Sequence, residues 1–242
     1  MKKGKVKVIK INLLDYLFPS RCAVCDEVTD SPGAGLCEKC KGKIVYIKEP
    51  YCLKCGKQLK KEEKEYCSDC ERIRHLFDAG VSLYDYGSMA DSVFRFKYAG
   101  RAEYAAFYGR DLYEKKEHWL KSLRPDALVP VPIHSSRMRK RGYNQATLIA
   151  RELSKHSGIP VREELIRRST RTQPLKDLSH AERQNNLKRA FKIRQNDVKL
   201  NTIVIIDDIY TTGSTIDSMT RVLKEAGIGK VYFITLTIGR GI

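Results

Sequence analysis

The chain has 242 residues, 42% apolar and 31% charged, enough for one medium domain with its own core and a smaller one beside it. No apolar run approaches about 18 residues, which excludes a membrane-spanning helix. Residues 1–11 alternate lysine with apolar side chains and lack the unbroken apolar stretch of an export signal, so a cytoplasmic location is expected. The net charge of +17 is high for a folded domain. It suits a polyanionic partner, a pocket for a strongly anionic small molecule, or simply a lysine-rich proteome.

All eight cysteines lie between Cys22 and Cys70, in four C-x-x-C pairs: Cys22/Cys25, Cys37/Cys40, Cys52/Cys55 and Cys67/Cys70. The second four repeat the first four at an offset of thirty residues, with eleven residues between the pairs of each copy. A C-x-x-C turn aims two thiolates at one tetrahedral metal, and two such turns complete a site of four thiolates. Disulfides would need an oxidising compartment, and iron–sulfur ligation lacks its usual spacing. Two structural zinc ions are therefore expected. Each copy is expected to close on its own metal, since local closure loses less chain entropy than pairing across copies. Gly56, directly after Cys55, suits the tight turn. Tyr46, Tyr51 and Tyr66 and several lysines lie nearby, and the ribbons read equally as a contact surface or a structural appendage.

From about Phe77 the pattern changes. Val81–Tyr86 reads as a strand, Ser88 as the cap of a helix running to Lys97, and Glu103–Leu123 as a second helix. Between them, Phe94-Arg95-Phe96-Lys97-Tyr98-Ala99-Gly100-Arg101 interleaves aromatic and basic residues. Such a mixture stacks bases and grips phosphates, or buries its aromatics at a helix end. On the first reading Lys97, Tyr98, Arg101 and Arg141 are nucleic-acid contacts. Ala127–Pro132 reads as a strand that its prolines restrict to an edge or an end. Arg137, Arg139, Lys140 and Arg141 follow within five residues and call for an anion such as pyrophosphate or nucleic acid. His134, beside them, reads as a surface or packing residue. A helix is expected from Asn144 or Gln145 to His156, closed by Gly158, and a short strand over Leu165–Arg168. Ser169–Leu178, with Arg171, Thr172, Gln173 and Lys176, reads as a mobile loop able to close over substrate. Ser179-x-x-Glu182 is a capping box that opens a further helix.

Ile203–Ile206 is a β-branched run suited to a strand buried on both faces, with Asp207 and Asp208 at its carboxyl end. Thr211-Thr212-Gly213-Ser214-Thr215 leads into a helix whose apolar face is Ile216, Met219, Val222, Leu223 and Ala226, stopped by Gly227. Small hydroxyl residues around a glycine let backbone N–H groups converge at a helix N-terminus, which suits a phosphate dianion. The aspartates suit vicinal hydroxyls or a water-bridged Mg²⁺. Phosphate at one end and a diol at the other describe a ribose 5-phosphate. A last strand is expected over Val231–Thr237, and strands alternating with helices on short links argue for a parallel α/β sheet.

The stretch from Val204 to Thr215 resembles the phosphoribosyl-pyrophosphate (PRPP) motif of type I phosphoribosyltransferases. That likeness implies that Asp207 and Asp208 hold the ribose hydroxyls and Thr211, Thr212, Gly213, Ser214 and Thr215 wrap the 5′-phosphate. Together with the doubled cysteine repeat, Phe96–Gly100, Val129–His134, Arg141–Ala146, Arg171–Gln173 and Arg183-x-x-Asn186, the whole chain resembles the ComF family of competence-associated proteins. The order also looks like the phosphoribosyl half of glutamine PRPP amidotransferases. The resemblance implies an α/β fold: a parallel-sheet, type I phosphoribosyltransferase-like domain over residues 76–242 behind a small double zinc-ribbon module over residues 1–75. It implies PRPP with Mg²⁺ as ligand and a pyrophosphate and lid region comprising Arg137, Arg139, Lys140, Arg171 and Lys176. It also implies a place in DNA uptake, with single-stranded DNA and a helicase as candidate partners. Two roles stay open: a phosphoribosyltransferase with Asp207 and Asp208 as its catalytic pair, its acceptor unnamed by the sequence, and a non-catalytic PRPP-sensing or DNA-binding adaptor.

Overall fold

The computed structural model describes residues 19–29, 33, 35–60, 64–168, 190–194 and 199–239. Each half of the cysteine repeat forms a small ribbon. A bridge between Arg21 and Val28 closes the first knuckle, and one between Tyr51 and Gln58 closes the second. A short 3-10 turn, Glu38–Cys40, carries the last ligand of the first ribbon, and helix α1, Ser68–Arg72, carries that of the second. The residue after each leading pair is left-handed: Asp26 at φ 66° and Gly56 at φ 73°. The second copy needs glycine there for a packing reason as well. A Cβ on Gly56 would lie 2.7 Å from the backbone of Val81. Asp is tolerated at the first, where its carboxylate anchors the ribbon as described below.

The remaining elements run β1 (Ala79–Asp85), α2 (Tyr86–Tyr98), α3 (Tyr104–Leu123), β2 (Ala127–Pro130), α4 (Ser135–Arg141) and α5 (Gln145–Ser157). They continue with β3 (Ile166–Arg168), β4 (Phe191–Ile193), β5 (Thr202–Tyr210), α6 (Ser214–Glu225) and β6 (Lys230–Ile238). The main sheet has the order β1-β6-β5-β2 with every pairing parallel. β2, which ends at Pro130, takes an edge, as its prolines require. Strand parity sends Ile203 and Ile205 into one core and Val204 and Ile206 into the other. The first core holds α6, the second ribbon's Cys52, Cys55 and Cys67, Phe77 and Phe233. The second is built from α2, α3, α5 and the first ribbon's Ala23. Both faces of the sheet are thus covered, which is why its central strands are apolar without alternation. Among the described residues, no helix is long and apolar enough to cross a membrane.

Both ribbons are fastened to this sheet. Gly80 N donates to Lys54 O at 2.9 Å, and Lys54 Nζ donates to the Phe77 carbonyl. On the other face Asp26 accepts from Arg101 at 2.8 Å and from the Tyr104 hydroxyl at 2.5 Å, while Arg95 donates to Val24 O. Between the ribbons, residues 45–47 run antiparallel along the outer edge of β1. Tyr46 pairs with Tyr84, Ile47 N donates to Leu83 O, and Asp85 N donates to Val45 O, both at 2.9 Å. The hydroxyls of Tyr46 and Tyr84 converge on Asp111 of α3.

Several sequence expectations shift. β5 continues through Tyr210, because Asp207, Ile209 and Tyr210 remain in register with Thr235, Thr237 and Ile238 of β6. The two aspartates therefore lie within the strand rather than after it. Asp85, not Ser88, caps α2, its carboxylate accepting from Gly87 N. Ser88 instead accepts from Val45 N at 3.2 Å and so serves the ribbon segment. Ala226 is the exposed C-cap of α6 and not part of its apolar face. β3 pairs antiparallel with β4 in a small second sheet that the apolar pattern did not announce. Arg171 and Lys176, expected in a lid, and the expected capping box at Ser179 lie outside the described residues.

Gly80 tests how tightly the sheet is packed. A Cβ there would sit 2.1 Å from the ring of Phe233. That ring is fully buried and stacked on Tyr210 at 4.9 Å, with nowhere to move. Gly80→Ala is expected to destabilise the fold by about 1–3 kcal/mol through overpacking, read as a lower urea midpoint with an unchanged slope.

Candidate functional site

The two cysteine sets close locally, one set per copy. Within each set the four sulfurs lie within 4.8 Å of one another. Cys25 and Cys37 are 3.8 Å apart, and Cys55 and Cys67 3.6 Å. A tetrahedron with Zn–S bonds of about 2.3 Å has edges of about 3.8 Å, so both sets fit structural zinc. Burial, and then the neighbouring Cys37 and Cys25 thiols, push Cys40 up to about 12 in the bare protein. Four thiolates at this spacing need a cation.

Strand parity also separates the acids at the carboxyl end of β5. Asp208 turns to the α2 side, where its Oδ1 meets Lys97 Nζ at 2.8 Å with both side chains nearly buried. Asp207 turns to the other side, half-buried, and its Oδ1 accepts the backbone N–H of Asp208 at 2.9 Å. Burial, and then the Asp208 charge, raise the Asp207 carboxyl to about 7. The Asp208 N–H and the charges of Lys97 and Arg168 offset only part of this. Arg168 ends β3 and feels both Asp207 and the like charge of Arg137, and burial pulls its own pKa down. The basic helix α4 is thereby linked to the acidic pair.

After β5 comes the hydroxyl-rich turn. Thr211 and Thr212 are exposed, and the hydroxyls of Thr212 and Ser214 lie 2.9 Å apart. Gly213 is left-handed at φ 76° and forms the N-cap of α6. A Cβ on it would fall 2.6 Å from the Tyr210 hydroxyl and 2.8 Å from the His75 ring. Behind the turn, Asp217 in the first turn of α6 accepts from Leu76 N and holds His75 Nδ1, both at 2.7 Å. His75 leads out of the second ribbon, is 1% exposed in its side chain, and stacks on Phe77. A strut thus runs from the ribbon to the back of the turn. His75→Ala would leave Asp217 short of a charge-assisted partner worth about 2 kcal/mol. In a chain of this size that is a fall of roughly 4–8 °C in melting midpoint. Asp217→Asn, which can still accept from Leu76 N, is expected to lose less by calorimetric melting.

The basic residues divide. Four of the seven residues of α4 are cations, concentrated in its last turn where the helix dipole favours them. This answers part of the expectation that such a run needs anions. Among the described residues, no carboxylate forms an ion pair with Arg137, Arg139 or Lys140. His134 caps α4, its Nδ1 accepting from Ser136 N at 3.1 Å. Lys97, Tyr98 and Arg141 meet around one depression with Phe94 and Lys140. Arg101 does not join them. Its guanidinium is held by Asp26 at 2.8 Å, with Glu103 at 3.8 Å, so it fixes the first ribbon in place.

Sequence reasoning passed over Arg168 as the end of a strand and His75 and Asp217 altogether. The only signal for Arg168 was a second cation at a strand end, while His75 and Asp217 are 142 residues apart.

Residues 13–71 match the family model of the double zinc ribbon domain, and residues 139–240 that of the phosphoribosyl transferase domain. The chain is 30% identical over 222 residues to Competence protein F of Haemophilus influenzae, covering 88% of this chain and 95% of that one. It is 31% identical over 206 residues to Competence protein ComFC of Bacillus subtilis, covering 81% and 80%. With DNA utilization protein YhgH of Salmonella typhimurium it shares 29% over 217 residues, covering 88% and 94%. A likeness that runs through both the ribbons and the sheet domain leaves one assignment: the chain belongs to the competence protein F (ComF) family.

Proposed function

We infer that the protein binds PRPP with Mg²⁺ at the end of β5 and acts in DNA uptake, holding single-stranded DNA on its basic face. The observation that carries the ligand is the sequence of features along β5 and α6. Two carboxylates of opposite parity are followed by exposed hydroxyls and a left-handed glycine at a helix N-terminus. Asp207 and Asp208 would accept from the ribose hydroxyls, and residues 211–215 would donate to the 5′-phosphate. Two carboxylates are suitable hard ligands for Mg²⁺ or its waters, and the ion would offset the pyrophosphate charge. Arg137, Arg139 and Lys140 would face the pyrophosphate, with Arg171 and Lys176 as the lid. The names of the relatives supply the biological setting, competence and DNA utilization. The charge of +17 supplies the attraction to a polyanion.

Calorimetric titration with PRPP and Mg²⁺ tests the ligand: one site per chain with an absolute need for the 5′-phosphate is expected, and absence of heat and of protection would overturn it. Oligonucleotide affinity should fall steeply with salt. An adaptor that passes incoming DNA to a helicase and a transferase with a separate acceptor differ in turnover. Pyrophosphate release dependent on an added nucleophile, and lost in Asp207→Asn, would favour the transferase. The setting expected for either is the cytoplasm.

A further inference from the structure

The depression beside the acidic pair has a composition of its own. It encloses about 380 Å³ and is lined by Phe94, Lys97, Tyr98, Lys140 and Arg141. That volume lies within the usual range of ligand pockets, about 300–1,000 Å³, and has room for one nucleotide. Three of its five residues are cations, two are aromatic and none is acidic. Phe94 is 60% exposed and Tyr98 53%, four residues apart on α2 with ring centroids 5.1 Å apart. Arg141 is already positioned: its guanidinium lies 4.8 Å over the Tyr98 ring, donates to the Tyr98 hydroxyl at 3.0 Å and to Gln145 Oε1 at 3.0 Å. One face of Tyr98 is therefore taken, while Phe94 still presents its ring to solvent.

Lys97 belongs to two places at once. It lines the depression, and its ammonium lies 2.8 Å from Asp208 Oδ1. A ribose that donated its hydroxyls to Asp208 would compete for the oxygen Lys97 now holds. Lysine carries a flexible stem and a compact charge, so the released ammonium is free to meet an anion in the depression that it already lines.

We propose that the Phe94–Tyr98–Arg141 depression is a binding site for a nucleotide unit, its base on Phe94 and its phosphate on Arg141 and the released Lys97, and that Lys97 couples it to Asp208. Filling the diol site raises nucleotide affinity, and by linkage the nucleotide raises affinity for the sugar phosphate by the same factor. The coupling rests on the reading of Asp207 and Asp208 as a diol site; the depression itself does not.

The test uses the full chain with both zinc ions, and two probes: a fluorescent oligothymidylate, and thymidine 5′-monophosphate. Phe94→Ala is expected to weaken probe binding about 5- to 150-fold, the range for one stacked base, with PRPP affinity unchanged. Tyr98→Phe, which keeps the ring, should retain most of the affinity. Mg²⁺–PRPP is expected to tighten probe binding in the natural chain and to have no such effect in Lys97→Met. Binding of the mononucleotide nearly as tight as the oligomer identifies a free nucleotide as the occupant, whereas response by the oligomer alone identifies a strand. If Phe94→Ala binds both probes like the natural chain, the site is wrong. If PRPP binds but leaves probe affinity unchanged or lower, or if Lys97→Met keeps the enhancement, the coupling is wrong. If PRPP does not bind at all, the diol reading fails and the Phe94 result still judges the depression.

Discussion

Cys55→Ser is expected to cost the protein its cooperative fold, while Cys25→Ser, at the equivalent position of the first ribbon, leaves the parallel sheet standing. The two residues occupy the same place in the repeat, thirty residues apart. Their surroundings differ. Cys55 is 1% exposed and shares a core with Phe77, Tyr210, Phe233 and Met219, whereas Cys25 is exposed. A structural zinc contributes about 10–16 kcal/mol in apparent terms, against a net stability of about 5–15 kcal/mol for a whole domain. Losing the metal within the shared core removes more than the fold has to spare, and leaves three thiols, two of them buried, without their cation. Losing it in the first ribbon frees that ribbon, and the sheet keeps the second ribbon and α6 on one face and α2, α3 and α5 on the other. Native mass spectrometry should show two zinc ions in the natural chain and one in Cys25→Ser, with near-ultraviolet dichroism preserved. A Cys55→Ser chain that still melts cooperatively would show that the second ribbon is not part of the core.

Asp207→Asn/Asp208→Asn is expected to lower PRPP affinity at least about 100-fold while making the protein less sensitive to pH. Each charge-assisted bond to a hydroxyl contributes about 1.5–3 kcal/mol, so loss of two reaches that factor. The stability effect has the opposite sign. Asp207 is raised to about 7, above the ordinary carboxyl range, by burial and by the charge of Asp208. The folded chain therefore keeps a proton that the unfolded chain has already lost. This contribution to stability is fully present below the ordinary carboxyl range and disappears as pH rises through about 7. Urea midpoints should fall from pH 5 to pH 8 in the natural chain, with a smaller fall in Asp207→Asn alone. Ligand binding needs the ionised form, so PRPP affinity should rise over the same interval. A natural chain whose midpoint rose from pH 5 to pH 8, in parallel with Asp207→Asn, would mean that Asp207 titrates as an ordinary carboxylate.

The elements written in local patterns were legible from the chain. The cysteine repeat gave both metal sets with their correct pairing, since each closes within nineteen residues. Asn144 and Gly158 marked the ends of α5, and the apolar run at Ile203–Ile206 marked a strand covered on both faces. What the pattern missed depends on partners far along the chain. Asp207 and Asp208 stay in the strand because β6 continues beside them. Arg101, in a basic and aromatic run, was read as a contact for nucleic acid. A carboxylate 75 residues earlier holds it in place. Lys97, read the same way, proved to be shared with Asp208. Arg168 looked like any strand end until β3 placed it near Asp207. The choice of partner for a long cation is made by tertiary geometry, and no local periodicity encodes it.

The strip at residues 45–47 has a consequence for how such a chain could be shortened or recombined. By composition, the ribbons and the phosphoribosyltransferase-like fold part company near residue 75, and a shuffling event there would look harmless. Yet the strip is the selvedge of the sheet: it hides the open amide row of β1, the kind of surface that recruits neighbouring molecules into aggregates. A descendant lacking the ribbons would need a substitute hem along β1, and a cover for Phe77 and Phe233, before it could remain monodisperse.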